Sequence, residues 1–313
     1  TFFGHQEIMG TKPSAPTMQP FSLRIDDVEA DLIQNGYRVK RFSIDNVEAL
    51  TVNDAIFIVD NMETDLGQAI NVSGTFVGCT FDDIKKVGNI TRRHFEVPRI
   101  IAFGGEDVPF SRILASAFRT DGFIGLDTPK SGVYEKGYMV VHIGFGVDKN
   151  IQLPKVLNDI GVKTYLYGKV ADIVENDDGV SKFGVDTKTL LNYLSTDLDS
   201  VDNGFFCLNV QETDLAGHRC EAKTYADVLK VADEVLGEIF NKLRETDCMI
   251  VMADHGNDPY SGRSQHTRER VPLLIYNKNF VGQNFGERET MSDVGQTAAN
   301  YFGAKLINGK SLF

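Results

Sequence analysis

Two short apolar runs, Phe205-Phe206-Cys207-Leu208-Asn209-Val210 and Met249-Ile250-Val251-Met252-Ala253, flank a stretch in which Tyr225, Val228, Leu229, Ala232, Val235, Leu236, Ile239, Phe240 and Leu243 recur at three- and four-residue steps. Short β-rich runs of this kind read as buried strands, and the spacing between them reads as a helix with one apolar face. Strand, helix and strand in that order predict a parallel crossover. Further strand-like runs lie at 55–59, 99–103 and 271–276, and a second helix is expected at 293–302, stopped by Gly303. The C-terminal half is therefore expected to be doubly wound α/β. At 313 residues the chain has room for about two domains. Residues 19–139, with a helix at 26–35 and strands at 38–42 and 55–59, read as a separate domain. It is inserted into a core formed by 1–18 and 140–313.

Charge narrows the function classes. With 32 basic against 44 acidic residues, the formal charge is −12. A basic face that binds nucleic acid through its phosphates is not expected. If the ligand is itself a phosphate, local cations must overcome the field of the chain. The four cysteines form no Cys-x-x-Cys pair, which argues against a thiolate zinc cluster and fits a reducing, cytoplasmic setting. No apolar run approaches the ~20 residues of a membrane helix.

In open α/β sheets ligands gather beyond the carboxyl ends of the strands. Residues 211–218, Gln-Glu-Thr-Asp-Leu-Ala-Gly-His, follow the 205–210 run. Asp254-His255-Gly256-Asn257-Asp258-Pro259 follows the 249–253 run, and His266-Thr267-Arg268-Glu269 precedes the 271–276 run. These junctions could deliver Asp214, His218, Asp254, His255 and His266 to one edge. Carboxylate oxygen and imidazole nitrogen together suit manganese or zinc, and five such ligands are most of a two-metal site. Gly256 is expected to let the backbone turn after the Asp254-His255 pair. His94, beside Arg92, Arg93 and Glu96, is expected to be solvated, and His142 to be a satisfied core residue.

The string from Ala253 to Pro259, followed by His266-Thr267-Arg268-Glu269-Arg270-Val271-Pro272, resembles the signature of phosphopentomutases. These belong to the alkaline phosphatase superfamily, as do the cofactor-independent phosphoglycerate mutases. Asp214-Leu215-Ala216-Gly217-His218-Arg219 resembles the second metal motif, and Thr1-Phe2-Phe3-Gly4-His5-Gln6-Glu7-Ile8-Met9-Gly10 the nucleophile segment. The resemblance implies an alkaline-phosphatase-like core with an α/β cap. It implies a phosphomutase that moves a phosphoryl group within a sugar phosphate, ribose 1-phosphate or ribose 5-phosphate, through a phosphothreonine at Thr1.

On the same resemblance, two divalent ions are implied, Mn2+ first, with Zn2+ or Mg2+ as alternatives. Asp254, His255 and Thr1 would hold one, and Asp214, His218 and His266 the other. Lys169 would reach the substrate phosphate. Asn61 and Glu63 stand where the family has the serine and aspartate that hold the sugar, and Ala102-Phe103-Gly104-Gly105 replaces Ala-Arg-Pro-Phe, so a differently shaped sugar pocket is expected. Asp214 lies four residues before His218, as in phosphoglycerate mutases, where phosphopentomutases have five; this leaves open a shift of Asp214 against Thr213. The family also begins with a strand bearing a further aspartate ligand, so several tens of residues, including a central strand, are expected upstream of Thr1. A metal-dependent phosphohydrolase, a phosphoglycerate mutase-like enzyme and a non-catalytic metal-binding relic are the alternative readings.

Overall fold

The computed structural model describes residues 2–12 and 15–313. The chain is α/β throughout and divides into two compact units, one comprising the described residues of 1–13 with 148–313, the other those of 14–147.

The 14–147 unit is built on eight strands: β1 (Val39–Ile44), β2 (Val47–Val52), β3 (Ile56–Asp60), β4 (Ala69–Thr75), β5 (Arg99–Gly105), β6 (Ala117–Thr120), β7 (Phe123–Leu126) and β8 (Met139–Gly144). The sheet order is β1-β2-β3-β4-β5-β8, with β7 pairing with β3 and β6. β3 and β4 are buried along their whole length; β3 accordingly reads as an apolar run without alternation, whereas β4 buries Asn71, Ser73 and Thr75 among its apolar residues. Helices Ile25–Gln34 and Phe81–Arg92 cover one face, over a core that includes Val28, Leu32, Ile58, Ile70, Val87 and Ile100. The second helix starts in a Thr80–Asp83 capping box. The unit extends past the expected boundary at residue 139, because β8 pairs antiparallel with β5 along 139–144. His94 is not solvated: it is half-buried, with Nε2 2.7 Å from the Asp31 carboxylate.

The other unit contains β9 (Thr164–Tyr167), β10 (Val180–Lys182), β11 (Phe205–Leu208), β12 (Met249–Met252) and β13 (Leu273–Tyr276). β10, β9 and β11 form a parallel sheet in that order, as expected for a wound α/β core. The expected crossover from β11 to β12 does not end in a shared ladder. β11 pairs with β9, and β12 pairs with β13, antiparallel, with Met252 opposite Leu273. The reason is local. No helix separates β12 from β13, so the chain returns directly, and a direct return makes an antiparallel pair. An antiparallel bridge between Gly256 and Thr267 pinches this excursion near its base. The Ala222–Lys242 helix forms as its periodicity predicts, but Ile239 is its only buried residue and Leu229 is 50% exposed. It meets β13 through Phe240, edge-on to Tyr276 with ring centroids 4.7 Å apart. Among the described residues, no helix is long and apolar enough to cross a membrane.

Candidate metal centre

Three pieces of the second unit converge. The Gln211–His218 helix begins two residues after β11 and carries Asp214 and His218 one turn apart, on the same helix face. Asp254 and His255 follow β12 after Ala253, and His266 lies on the returning limb of the β12–β13 excursion. Asp214 Oδ1 is 3.1 Å from His266 Nε2, 3.3 Å from His218 Nε2 and 3.6 Å from His255 Nε2. His266 Nε2 is also 3.1 Å from His218 Nε2. His255 Nε2 lies between the two carboxylates, 3.5 Å from Asp254 Oδ2. The donor atoms of Asp214, His255 and His266 all fall within 4.8 Å of one another.

The histidine protons show what this arrangement can hold. His218 Nδ1 faces the carbonyl of Ser264, and His255 Nδ1 faces that of Gly256 at 3.0 Å. A carbonyl oxygen only accepts, so each Nδ1 carries the hydrogen and each Nε2 turns a lone pair into the cluster. Lone pairs packed against a carboxylate repel unless a cation lies among them. Backbone carbonyls holding the outer nitrogens of histidines are also the usual support of metal-ligating imidazoles. The donor set of carboxylate oxygens and imidazole nitrogens therefore fits a divalent ion such as manganese or zinc.

Electrostatics agree. Burial pushes the Asp214 carboxyl up, but hydrogen bonds from His266 and Asn257 and the proximity of His218 and His255 outweigh it and hold the group at about 2. Burial likewise opposes ionisation of Asp254, and the hydrogen bond and charge of His5 overcome it, keeping this carboxyl below its ordinary range. His255 is pushed below the usual imidazole value, chiefly by burial and against the pull of Asp254. Carboxylates kept ionised, beside a His255 imidazole whose burial favours its neutral form, are the states a metal requires.

Two supporting residues stand outside the expected set. The Asn257 amide donates to the Asp214 carbonyl at 3.1 Å and to its carboxylate at 2.8 Å. His5, buried in the Phe2–Ile8 helix, places Nδ1 3.0 Å from Asp254 Oδ2. Both lie inside motifs quoted above, and the signal that could have marked them is adjacency: each is a polar residue beside a glycine in a ligand-bearing or nucleophile-like string. Gly256 does not serve as the expected turn residue, since its backbone is not left-handed. It is small because a Cβ there would come 2.6 Å from the Glu269 carboxylate.

The remaining expected residues are placed differently. Thr1 lies outside the described residues. Thr213 is not a donor to the cluster: its hydroxyl turns back to the Val210 carbonyl at 2.8 Å, and Asp214 is the residue beside the histidines. Lys169 opens the short Lys169–Ile173 helix after β9, with Asp172 3.5 Å away. Asn61 and Glu63 belong to the other unit. Asn61 is buried, and its Oδ1 accepts from the Glu63 and Thr64 amides at 3.0 and 2.9 Å and from the Thr64 hydroxyl at 3.1 Å. Its amide donates to Asn71 at 3.0 Å. This side chain organises the turn after β3, so its sequence-based assignment to sugar binding gives way to a structural role. Glu63 is exposed and lies against the Tyr134 hydroxyl. Phe103 is buried, not open to a ligand, and stacks on Tyr134 with centroids 6.5 Å apart.

A family model described as Metalloenzyme superfamily matches residues 58–306. Among curated proteins, a phosphopentomutase of Pectobacterium carotovorum is 37% identical over 166 residues, 51% of this chain and 40% of that protein. A phosphopentomutase of Kosmotoga olearia is 38% identical over 157 residues, 48% of this chain and 40% of that protein. The chain thus spans about two fifths of the length of the curated relatives it matches. Among solved structures, a phosphoglycerate mutase of Leishmania mexicana superposes with a TM-score of 0.42 at 17% identity, covering 51% of this chain and 38% of that one.

Proposed function

The chain belongs to the Metalloenzyme superfamily, and from that membership and the donors that converge on Asp214 we propose that it is a metal-dependent phosphomutase acting on a sugar phosphate. The observation that carries the reading is the set of imidazole lone pairs turned toward two ionised carboxylates. In this reading Asp214, His218 and His266 hold one divalent ion, and Asp254, His255 and Thr1 hold a second, with Mn2+ the first candidate. When bound, the ions supply positive charge that stabilises a transferring phosphoryl group and an alkoxide near neutral pH.

The chain's own residues supply the rest. Thr1, phosphorylated on its hydroxyl, gives its phosphoryl group to one hydroxyl of the sugar and recovers one from another position. Asn257 and His5 hold the two carboxylates in place. Lys169 is a cation suited to the substrate's phosphate, and Glu63 a carboxylate suited to sugar hydroxyls. Ribose 1-phosphate and ribose 5-phosphate are the first substrates, because the relatives at 37 and 38% identity are phosphopentomutases. The four free cysteines suit a reducing compartment, and we place the protein in the cytoplasm.

One observation favours a second reading. The four-residue spacing of Asp214 and His218, with both side chains in the cluster, matches the phosphoglycerate mutase pattern, so phosphoglycerates belong in the substrate panel. The test is a panel of labelled phosphosugars and phosphoglycerates with Mn2+. A mutase keeps the labelled phosphate on the carbon skeleton in a new position. Release of inorganic phosphate as the sole product would replace the mutase with a phosphohydrolase, and no turnover of any substrate would leave a metal-binding protein without this activity.

A further inference from the structure

Among the described residues, every arginine but two has its guanidinium in an ion pair, a hydrogen bond or another contact. The two exceptions, Arg263 and Arg268, flank His266. Their neighbours in sequence are engaged: Arg219 pairs with Glu221 at 3.1 Å, and Arg270 with Glu287. In a chain of charge −12 with carboxylates in excess, a guanidinium left without a carboxylate is uncommon.

The backbone around the Gly256–Thr267 bridge assigns Arg268 a side. Successive side chains of an extended segment alternate between faces. The Thr267 hydroxyl donates to Glu269 Oε1 at 2.7 Å and accepts from the Asp258 amide at 3.0 Å. The Glu269 carboxylate sits where a Gly256 side chain would stand. Thr267 and Glu269 therefore share one face, turned to the 256–258 backbone. His266 and Arg268 share the other, and that face is the one on which His266 meets Asp214 and His218.

Resting on the phosphomutase reading, we propose that Arg268 is a substrate-binding residue that grips the oxygens of a phosphoryl group at the metal centre. A guanidinium presents paired N–H groups that match two oxygens of a phosphate monoester. It would add fixed positive charge beside the carboxylates of the cluster, while Glu269, the nearest carboxylate in sequence, is already engaged by the Thr267 hydroxyl and by the charge of His255. Arg268 is exposed, so its loss does not empty the core.

The test is calorimetric titration of Mn2+, and then of inorganic phosphate into the Mn2+-loaded protein, for the unaltered chain and for Arg268→Ala, Arg268→Lys and Arg263→Ala. The expected result is unchanged Mn2+ affinity in all four, with phosphate binding weakened about 10- to 100-fold in Arg268→Ala. Arg268→Lys should recover part of the loss, and Arg263→Ala should stay within about 2-fold of the unaltered protein. Phosphate affinity in Arg268→Ala within about 2-fold of the unaltered protein, with Mn2+ binding intact, overturns the assignment and leaves the metal centre standing. Failure of the unaltered protein to bind Mn2+ overturns the metal centre and Arg268 with it.

Discussion

Asn257 donates from one amide to both the backbone carbonyl and the carboxylate of Asp214, at 3.1 and 2.8 Å. It reaches from the segment after β12 to the helix after β11, so it couples the two junctions that supply the cluster. The packing leaves no slack: a Cβ on Gly217 would stand 2.3 Å from the Asn257 amide. Asn257→Ala frees Asp214 to rotate, and Gly217→Ala pushes the amide away from it. Both are expected to lower Mn2+ affinity by about 10- to 100-fold, the range seen when the outer support of a metal ligand is removed. Titration calorimetry checks this. Unaltered affinity in both variants would mean that Asp214 is held by other means.

His266 touches Asp214, His218 and His255 at once, with its ring 4.7 Å from that of His218 and 3.8 Å from that of His255. It is half-buried, so its removal should leave the fold intact. His266→Ala is expected to abolish turnover, and a chelator should do the same reversibly to the unaltered protein. Circular dichroism spectra of the two proteins should coincide. Near-normal, chelator-resistant turnover in the variant would remove the metal from the mechanism.

Much of this site could be read before the structure because its signals are short-range. An Asp-His pair at a strand end and an Asp and His four apart on a helix are local patterns, and on the helix the four-residue step alone puts both side chains on one face. What could not be read depends on distant partners. Whether β12 pairs with a parallel or an antiparallel neighbour is decided by the absence of a helix in the β12–β13 connection, which apolar periodicity alone does not reveal. Asn257 and His5 look like ordinary polar residues until the β11 and β12 junctions come together. His94 seemed solvated in its charged stretch, yet Asp31, from the Ile25–Gln34 helix, pairs with it and is itself held below the ordinary carboxyl range by the His94 hydrogen bond.

The correction at Asn61 can be tested against the role it replaces. Three donors of the 61–64 turn converge on Asn61 Oδ1, and the side chain is buried. Asn61→Ala leaves those donors without their acceptor and should cost about 1–3 kcal/mol of stability in urea unfolding. Glu63→Gln, at an exposed position, should leave stability within about 0.5 kcal/mol and raise KM for the sugar phosphate. A stable Asn61→Ala protein with a raised KM would restore Asn61 to the substrate site.

Asp60 makes the stability of the 14–147 unit depend on pH in the direction opposite to a salt-bridged carboxylate. Its carboxylate accepts from the Phe21 amide at 2.7 Å and the Ile124 amide at 3.2 Å, joining β3 to the chain before the Ile25–Gln34 helix and to β7. Burial nevertheless dominates over these bonds and raises the group from 3.8 to about 7. Between those values the folded chain holds a proton that the unfolded chain has released, so stability falls as pH rises from about 4 to about 7 and levels off above that. The full difference is about 4 kcal/mol, an upper figure for a group this buried. Asp60→Asn cannot ionise and should lose this dependence. The two proteins compared in urea from pH 4.5 to 8 should therefore differ most at the acid end, where unaltered Asp60 is neutral, with the advantage of the unaltered protein shrinking steadily toward pH 7.5. A difference that stays constant over the range, or grows with pH, would mean that Asp60 is ionised in the folded unit from the start, and that its two amide partners outweigh its burial.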